Sequence, residues 1–181
     1  MKDESTTAES IRGLDQYLTF ILHGEEYGIN ILKVRGIQGW EETTVIPGAP
    51  EYVVGLINLR GEVVPIIDLR TRFNLEPMVY DARTVVIIVH VQQPGKERTV
   101  GIVVDAVSEV YNINPADVRQ PPEFGKEINN DYLRGLVLIE EKMVILLEID
   151  RLIDWGLLEG DVEEKTDEVE EVVPEVESTT L

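Results

Sequence analysis

The sequence predicts an all-β protein of two small five-stranded barrels related by a pseudo-twofold, with short helices and a C-terminal helix. Three observations carry this. First, the chain repeats itself. Tyr52–Leu69 reads YVVGLINLRGEVVPIIDL, and 80 residues on, without a gap, Tyr132–Ile149 reads YLRGLVLIEEKMVILLEI. Tyr52 aligns with Tyr132, Gly55 with Gly135, Leu56 with Leu136 and Val64 with Val144. Internal repetition of this kind outranks any single motif as a guide to fold. Second, the apolar runs are short, β-branched and divided by turn residues, with few long helical periods. Strands of that length suit small barrels, which remove exposed edges. Third, two halves of roughly 70 residues are each marginal alone, so they are expected to share a core or pack tightly.

The elements follow in order. Residues 1–13 are polar, charged and aperiodic, and are expected to be disordered. Tyr17–Leu22 is a strand, His23-Gly24-Glu25-Glu26 a turn, and Tyr27–Val34 a returning strand with Gly28 at a bulge or close approach. Gly36–Trp40 continues or kinks it. Val45–Pro50 is a rigid turn region, and Pro50 is suited to start a short helical turn. Gly55–Leu59 and Glu62–Ile67 form a hairpin around Arg60-Gly61, and Asp68 caps a helical turn in Leu69–Phe73. The second half repeats this order, with the boundary near 75–83. Thr84–Val91 and Val100–Val107 are its first strands, Gly101 falling where Gly28 does. Asn114-Pro115 is a helix start, with Asn as cap and Pro at the first position. Gln120-Pro121-Pro122 takes the place of the first proline turn. After the Tyr132–Ile149 hairpin, Asp150 is expected to cap a helix over Arg151–Leu158. The folded unit thus spans 14–158, as two intertwined barrel subdomains, and an acidic tail occupies 159–181.

Charge narrows the partners. The net charge is −19, and the tail alone holds ten acidic residues against Lys165. Such a surface repels phosphate backbones and anionic lipid, which argues against nucleic-acid and membrane partners. The tail reads as a solvated extension, with a weak docking role for Val169, Val172 and Val173 as the other reading. There is no cysteine, which excludes disulfides and thiolate chemistry. No apolar run approaches a membrane span, and the polar, acidic N-terminus is no secretory signal, so a cytoplasmic location is expected.

No catalytic pattern emerges. His23 and His90 sit at strand ends, at matching places in the two copies, outside any metal-ligand spacing. There is no phosphate-binding glycine loop, and Ser108 lies in no nucleophile motif. Asp150 and Asp154 share a helical face, read as a cap plus a solvated side. Asp68 and Glu148 end the two hairpins as parts of the repeat. No cofactor is expected. The repeat breaks at one turn, where Asn58-Leu59-Arg60-Gly61 faces Leu138-Ile139-Glu140-Glu141. Two readings of Arg60 stand side by side. It is a solvated turn residue beside a glycine that permits positive φ, or a planar cation that anchors an acidic partner. Val34 and Ile37 read as core. Trp40, beside Glu41-Glu42, reads as core or as an exposed interface aromatic.

Several stretches together resemble the bacterial chemotaxis coupling protein family, CheW. They are QYLTFILHGEEYGINILKV (Gln16–Val34), GLINLRGEVVPIIDLRTRF (Gly55–Phe73), VGIVVDAVSEV (Val100–Val110), RQPPEF (Arg119–Phe124) and YLRGLVLIEEKMVILLEIDRLI (Tyr132–Ile153). The resemblance covers about residues 15–155. It implies two SH3-like barrels and a non-enzymatic adaptor, which links the cytoplasmic tips of methyl-accepting receptors to the regulatory domain of the histidine autokinase CheA. By position it implies receptor coupling at Arg60, Asn58, Val34, Gly55 and Val85, and kinase contacts near Ile37 and Val107. It also implies a groove between the barrels for the receptor, and association with membrane receptor arrays through partners. The chain departs from the family at Gly36, where an acidic residue is frequent. The closest rival is the same adaptor in a parallel pathway, such as surface motility or second-messenger control. An SH3-like or oligonucleotide-binding module lacks a basic groove and stacking aromatics here.

Overall fold

The computed structural model describes residues 13–122 and 131–153. Among these described residues, ten strands form two five-stranded sheets. In chain order they are β1 (Asp15–Leu22), β2 (Glu25–Asn30), β3 (Val34–Gly39), β4 (Val53–Leu59), β5 (Glu62–Asp68), β6 (Val85–Gln93), β7 (Lys96–Val104), β8 (Ala106–Ile113), β9 (Leu133–Ile139) and β10 (Lys142–Leu147). Two short helices, α1 (Leu69–Arg72) and α2 (Ile149–Leu152), follow β5 and β10. One sheet has the order β8-β1-β2-β10-β9 and the other β3-β6-β7-β5-β4. Exchanging β1–β5 for β6–β10 turns either order into the other, so the repeat is a true structural one.

The halves are woven together. Each sheet takes the first hairpin of one half and the other three strands of its mate. The crossings are parallel pairings, Leu146 beside Gly28 and Ile66 beside Gly101. Those four residues are two equivalent pairs, because Leu146 aligns with Ile66 in the repeat. A side chain at either glycine would press on its partner. A Cβ on Gly101 would lie 2.4 Å from Ile66 Cδ1, and one on Gly28 would lie 3.0 Å from Leu146 Cδ2. The close-approach reading of both glycines therefore holds.

Three cores result. A central one lies between the sheets and draws on both, through Phe20, Leu22 and Ile29 together with Ile67, Leu69, Ile87, Ile102, Leu147 and Leu152. A satellite core inside the curl of one sheet joins Ile57, Val64, Ile66, Val86, Ile88 and Val103. Its counterpart joins Tyr17, Ile113, Val137, Val144 and Leu146. Neighbours such as Ile66 and Ile67 feed different cores. That is why these strands read as continuous apolar runs rather than alternating ones. Each curl is tied by one bridge pair, Thr44–Leu56 in one sheet and Arg119–Leu136 in the other.

Several expectations change. Tyr27–Val34 is not one strand. Asn30 Oδ1 accepts from the Leu32 amide and starts a 3-10 turn over Ile31–Lys33, which separates β2 from β3. A strand over Ala106–Ile113 was not anticipated, because its face alternates without a strong apolar set. Pro50 starts only a turn, closed by the Val53 amide on the Pro50 carbonyl. Asp150 does not cap the last helix. Glu148 occupies that position without a side-chain bond. The Asp150 carboxylate is drawn instead to Lys33 Nζ at 2.6 Å and the Gln92 amide at 2.8 Å. The part of that helix expected beyond Ile153, with Asp154, lies outside the described residues, as do Glu123, Phe124, residues 1–12 and the tail. The two histidines are not equivalent. His23 lies in the β1–β2 turn, whereas His90 lies within β6, paired across to Thr99. Two caps are as expected, Asp68 accepting from the Arg70 amide and Asn114 from the Ala116 amide.

Candidate functional site

The β4–β5 hairpin ends in a two-residue turn with left-handed backbone at both central positions, Arg60 at φ 53° and Gly61 at φ 89°. This turn matches the twist of paired strands but strains any residue with a Cβ. Gly61 removes half of that strain. Asn58 supports the rest, its Oδ1 accepting the Gly61 amide at 2.8 Å. Arg60 thus stands exposed on a turn clamped by its neighbour. It makes no hydrogen bond or ion pair with another described residue. In the other copy the same left-handed pair is Glu140 and Glu141, with Leu138 in the place of Asn58.

Arg60 overlooks a cleft of about 410 Å³, lined by Arg35, Gly36, Ile37 and Gln38 of β3, Leu59, Arg60 and Glu62 at the tip, and Ile88 and Thr99 beneath. Its origin is topological. β3 and β4 are the two ends of one sheet. The chain after β3 reaches β4 at Thr44–Leu56 but not at the tip, which leaves a mouth between the β3 edge and the turn. Two guanidiniums face one carboxylate there. Nearby on β7, Glu97 is held below the usual carboxylate range. The causes are a hydrogen bond from Gln92, then the charge of His90, with a smaller contribution from Arg35. Ile37, read from the sequence as core, is instead half exposed and adds an apolar floor beside the charges.

The equivalent mouth of the other sheet has the opposite character. Tyr111 there has its pKa raised, first by burial and then by the charges of Glu109, Glu26 and Glu140. Glu140 is the counterpart of Arg60. The pseudo-twofold therefore relates a basic mouth to an acidic one.

The sequence-derived candidates divide into two groups. Arg60, its clamp Asn58, and Ile37 meet at the cleft. Val34 and Val85 are half-buried against the central core, on β3 and β6, and Val107 packs there from the other sheet. Gly55 is buried in β4 at φ 149°, and a Cβ on it would lie 2.6 Å from both Thr43 Oγ1 and the Thr44 carbonyl oxygen. These four lie outside the cleft lining. Trp40 is half-buried and packs against Tyr80 with ring centroids 4.2 Å apart and planes tilted by 33°, which favours its packing role. Sequence reasoning missed Arg35, although it sits two residues before Ile37 and so shares its side of β3. Gln38, Glu62, Ile88 and Thr99 carried no separate signal. Gly36, singled out as a departure, lies in the lining, and a Cβ there would meet nothing within 4 Å. Among the described residues no group of His, Cys, Asp and Glu could hold a metal ion, and no helix is long and apolar enough to cross a membrane.

Comparison with known proteins agrees with this architecture. The CheW-like domain model matches residues 16–156. The chain is 44% identical to the chemotaxis protein CheW of Klebsiella aerogenes, over 76% of this chain and 81% of that one. It is 30% identical to the chemotaxis protein CheW of Bacillus subtilis, over 82% and 92% of the two chains. The crystal structure of the scaffolding protein TtCheW from Thermoanaerobacter tengcongensis superposes with a TM-score of 0.69 at 30% identity, over 78% of this chain and 88% of that one. The chain belongs to the CheW-like family, the non-enzymatic adaptors of chemotaxis.

Proposed function

We propose that this protein couples the cytoplasmic tips of methyl-accepting receptors to the regulatory domain of the histidine autokinase CheA, within receptor arrays at the membrane, and that the Arg60 cleft is one of its contact sites. The observation that carries the reading is the open mouth between the β3 edge and the β4–β5 tip, basic and partly apolar on an acidic protein. An unpaired guanidinium on a rigid turn suits a carboxylate-bearing partner, because its fork is pre-organised and always charged. The polarity of the pseudo-twofold supports barrel-to-barrel pairing. A basic mouth and an acidic mouth at equivalent places favour head-to-tail contacts with other double barrels, the geometry that builds rings and extended lattices. Weak contacts suffice where many act together. Coupling then requires the receptor to bind differently to the kinase-on and kinase-off arrangements.

Titration calorimetry against the regulatory domain of the cognate kinase tests this directly. Saturable one-to-one binding is expected. Arg60→Ala should leave the melting temperature nearly unchanged, since exposed turn substitutions alter stability by about 0.5 kcal/mol or less. It should weaken kinase binding, or receptor control of the kinase in a reconstituted array, by about tenfold, the scale of a lost charge-assisted hydrogen bond. Unchanged binding and control in that variant would remove the cleft from the mechanism.

A further inference from the structure

The Arg60 cleft sets two guanidiniums beside Ile37 and Leu59, and the chain also carries an acidic sequence with small apolar side chains. Residues 170–177 read EEVVPEVE, four carboxylates interleaved with Val172, Val173 and Val176. We propose that Glu170–Glu177 docks in cis into the cleft formed by Arg35, Gly36, Ile37, Leu59 and Arg60, where it competes with the external partner. The inference rests on the reading of that cleft as a site for acidic partners.

Charge selects the site. The protein as a whole is at −19, so an acidic segment is repelled from most of its surface. Here two guanidiniums stand against one carboxylate, and Arg60 has no partner among the described residues. Gly36 contributes no side chain to the lining and leaves room for the incoming one. β3 is an end strand of its sheet, and an extended peptide can lie along such an edge. Pro174 favours an extended segment. Reach is ample. Sixteen residues separate Ile153 from Glu170, and at about 3.3 Å each they can reach any face of a domain roughly 35–40 Å across. A tethered segment acts at an effective concentration in the millimolar range, so a weak site is sufficient.

The cysteine-free chain allows a clean test. A nitroxide on full-length Ser178→Cys should broaden the amide resonances of Gly36, Arg60 and Gly61 selectively. Broadening should fade at about 1 M salt, where the Debye length shrinks to about 3 Å. It should also vanish in the paired variant Arg35→Glu/Arg60→Glu, whose amide dispersion reports its fold. Uniform broadening, or broadening that survives that variant, overturns the proposal. A mixture of labelled and isotope-enriched unlabelled protein isolates contacts between copies. If it shows the same cleft effect, the occupant is a second copy and the cis assignment fails. As an independent arm, Glu170, Glu171, Glu175 and Glu177 are all changed to Gln in the full chain. Kinase regulatory domain should then bind about two- to tenfold more tightly, the gain from releasing a partly occupied site. Unchanged affinity overturns cis competition. If these arms fail while Arg60→Ala still weakens kinase binding, only the tail assignment falls and the adaptor reading stands.

Discussion

Arg60 and Gly55 lie five residues apart on one hairpin and differ in what a substitution should do. Arg60 is exposed, without a partner among the described residues and held by the Asn58 clamp, so its substitution should spare the fold and isolate the proposed recognition role. Gly55 is buried at φ 149°, with Thr43 and the Thr44 carbonyl where a Cβ would go. Gly55→Ala should therefore cost about 2–4 kcal/mol, from overpacking against backbone plus a sparsely populated φ. Gly36→Ala, with open space and ordinary φ, should stay within about 1 kcal/mol of the parent. Urea unfolding of both variants checks the contrast, and equal costs would contradict the assignment of Gly55 to the fold. At this scale the sequence was partly legible. The broken repeat pointed to Arg60 and its glycine. Arg35 was not found, because its importance comes from the opposite end of the sheet folding round to meet the tip.

Between elements, the corner that joins β7 to β8 carries a two-bond ion pair. Asp105 receives Arg70 Nε at 2.7 Å and Nη2 at 2.5 Å, and the His23 amide at 2.8 Å. It thus locks α1 and the β1–β2 turn to the second half. Burial pushes its carboxyl up, but the Arg70 and His23 hydrogen bonds outweigh this and hold the pKa below the usual aspartate value. A depressed folded pKa adds stability above the unfolded value, about 3.9, which is lost as pH falls through the folded one. Asp105→Asn should cost about 1–2 kcal/mol at pH 7, with the difference from the parent shrinking below about pH 4. Unfolding free energies at pH 7, 5 and 3 test this, and a pH-independent difference would mean the bond acts through packing alone. None of this corner was legible in the sequence. Arg70 and Asp105 lie 35 residues apart and in different copies of the repeat. By contrast, the caps at Asp68 and Asn114 were legible, because a cap bonds to its own next turn.

For the whole molecule, the 80-residue repeat identified the strands and the pseudo-twofold. It could not reveal that the halves exchange hairpins, since exchanged and unexchanged pairings bury the same apolar pattern. Exchange has a thermodynamic consequence. Neither sheet contains strands from one half only, and the central core draws on both sheets. The seam is pinned at the symmetry-related tyrosines. Arg72 lies over Tyr52 at 5.2 Å and over Tyr132 at 5.6 Å, and its Nε donates to the Leu152 carbonyl at 2.8 Å. The two sheets should therefore open together. Native-state amide exchange should give β2 and β10 in one sheet the same opening free energy as β5 and β7 in the other. Arg72→Ala should lower all four by about 2 kcal/mol, from the lost ring contacts and carbonyl bond. Two independent barrels would instead show one pair exchanging through a distinctly cheaper opening, with Arg72→Ala lowering only that one. A single cooperative unit suits the proposed assembly, because a push at the basic mouth then reaches the acidic mouth through a continuous core rather than through a hinge.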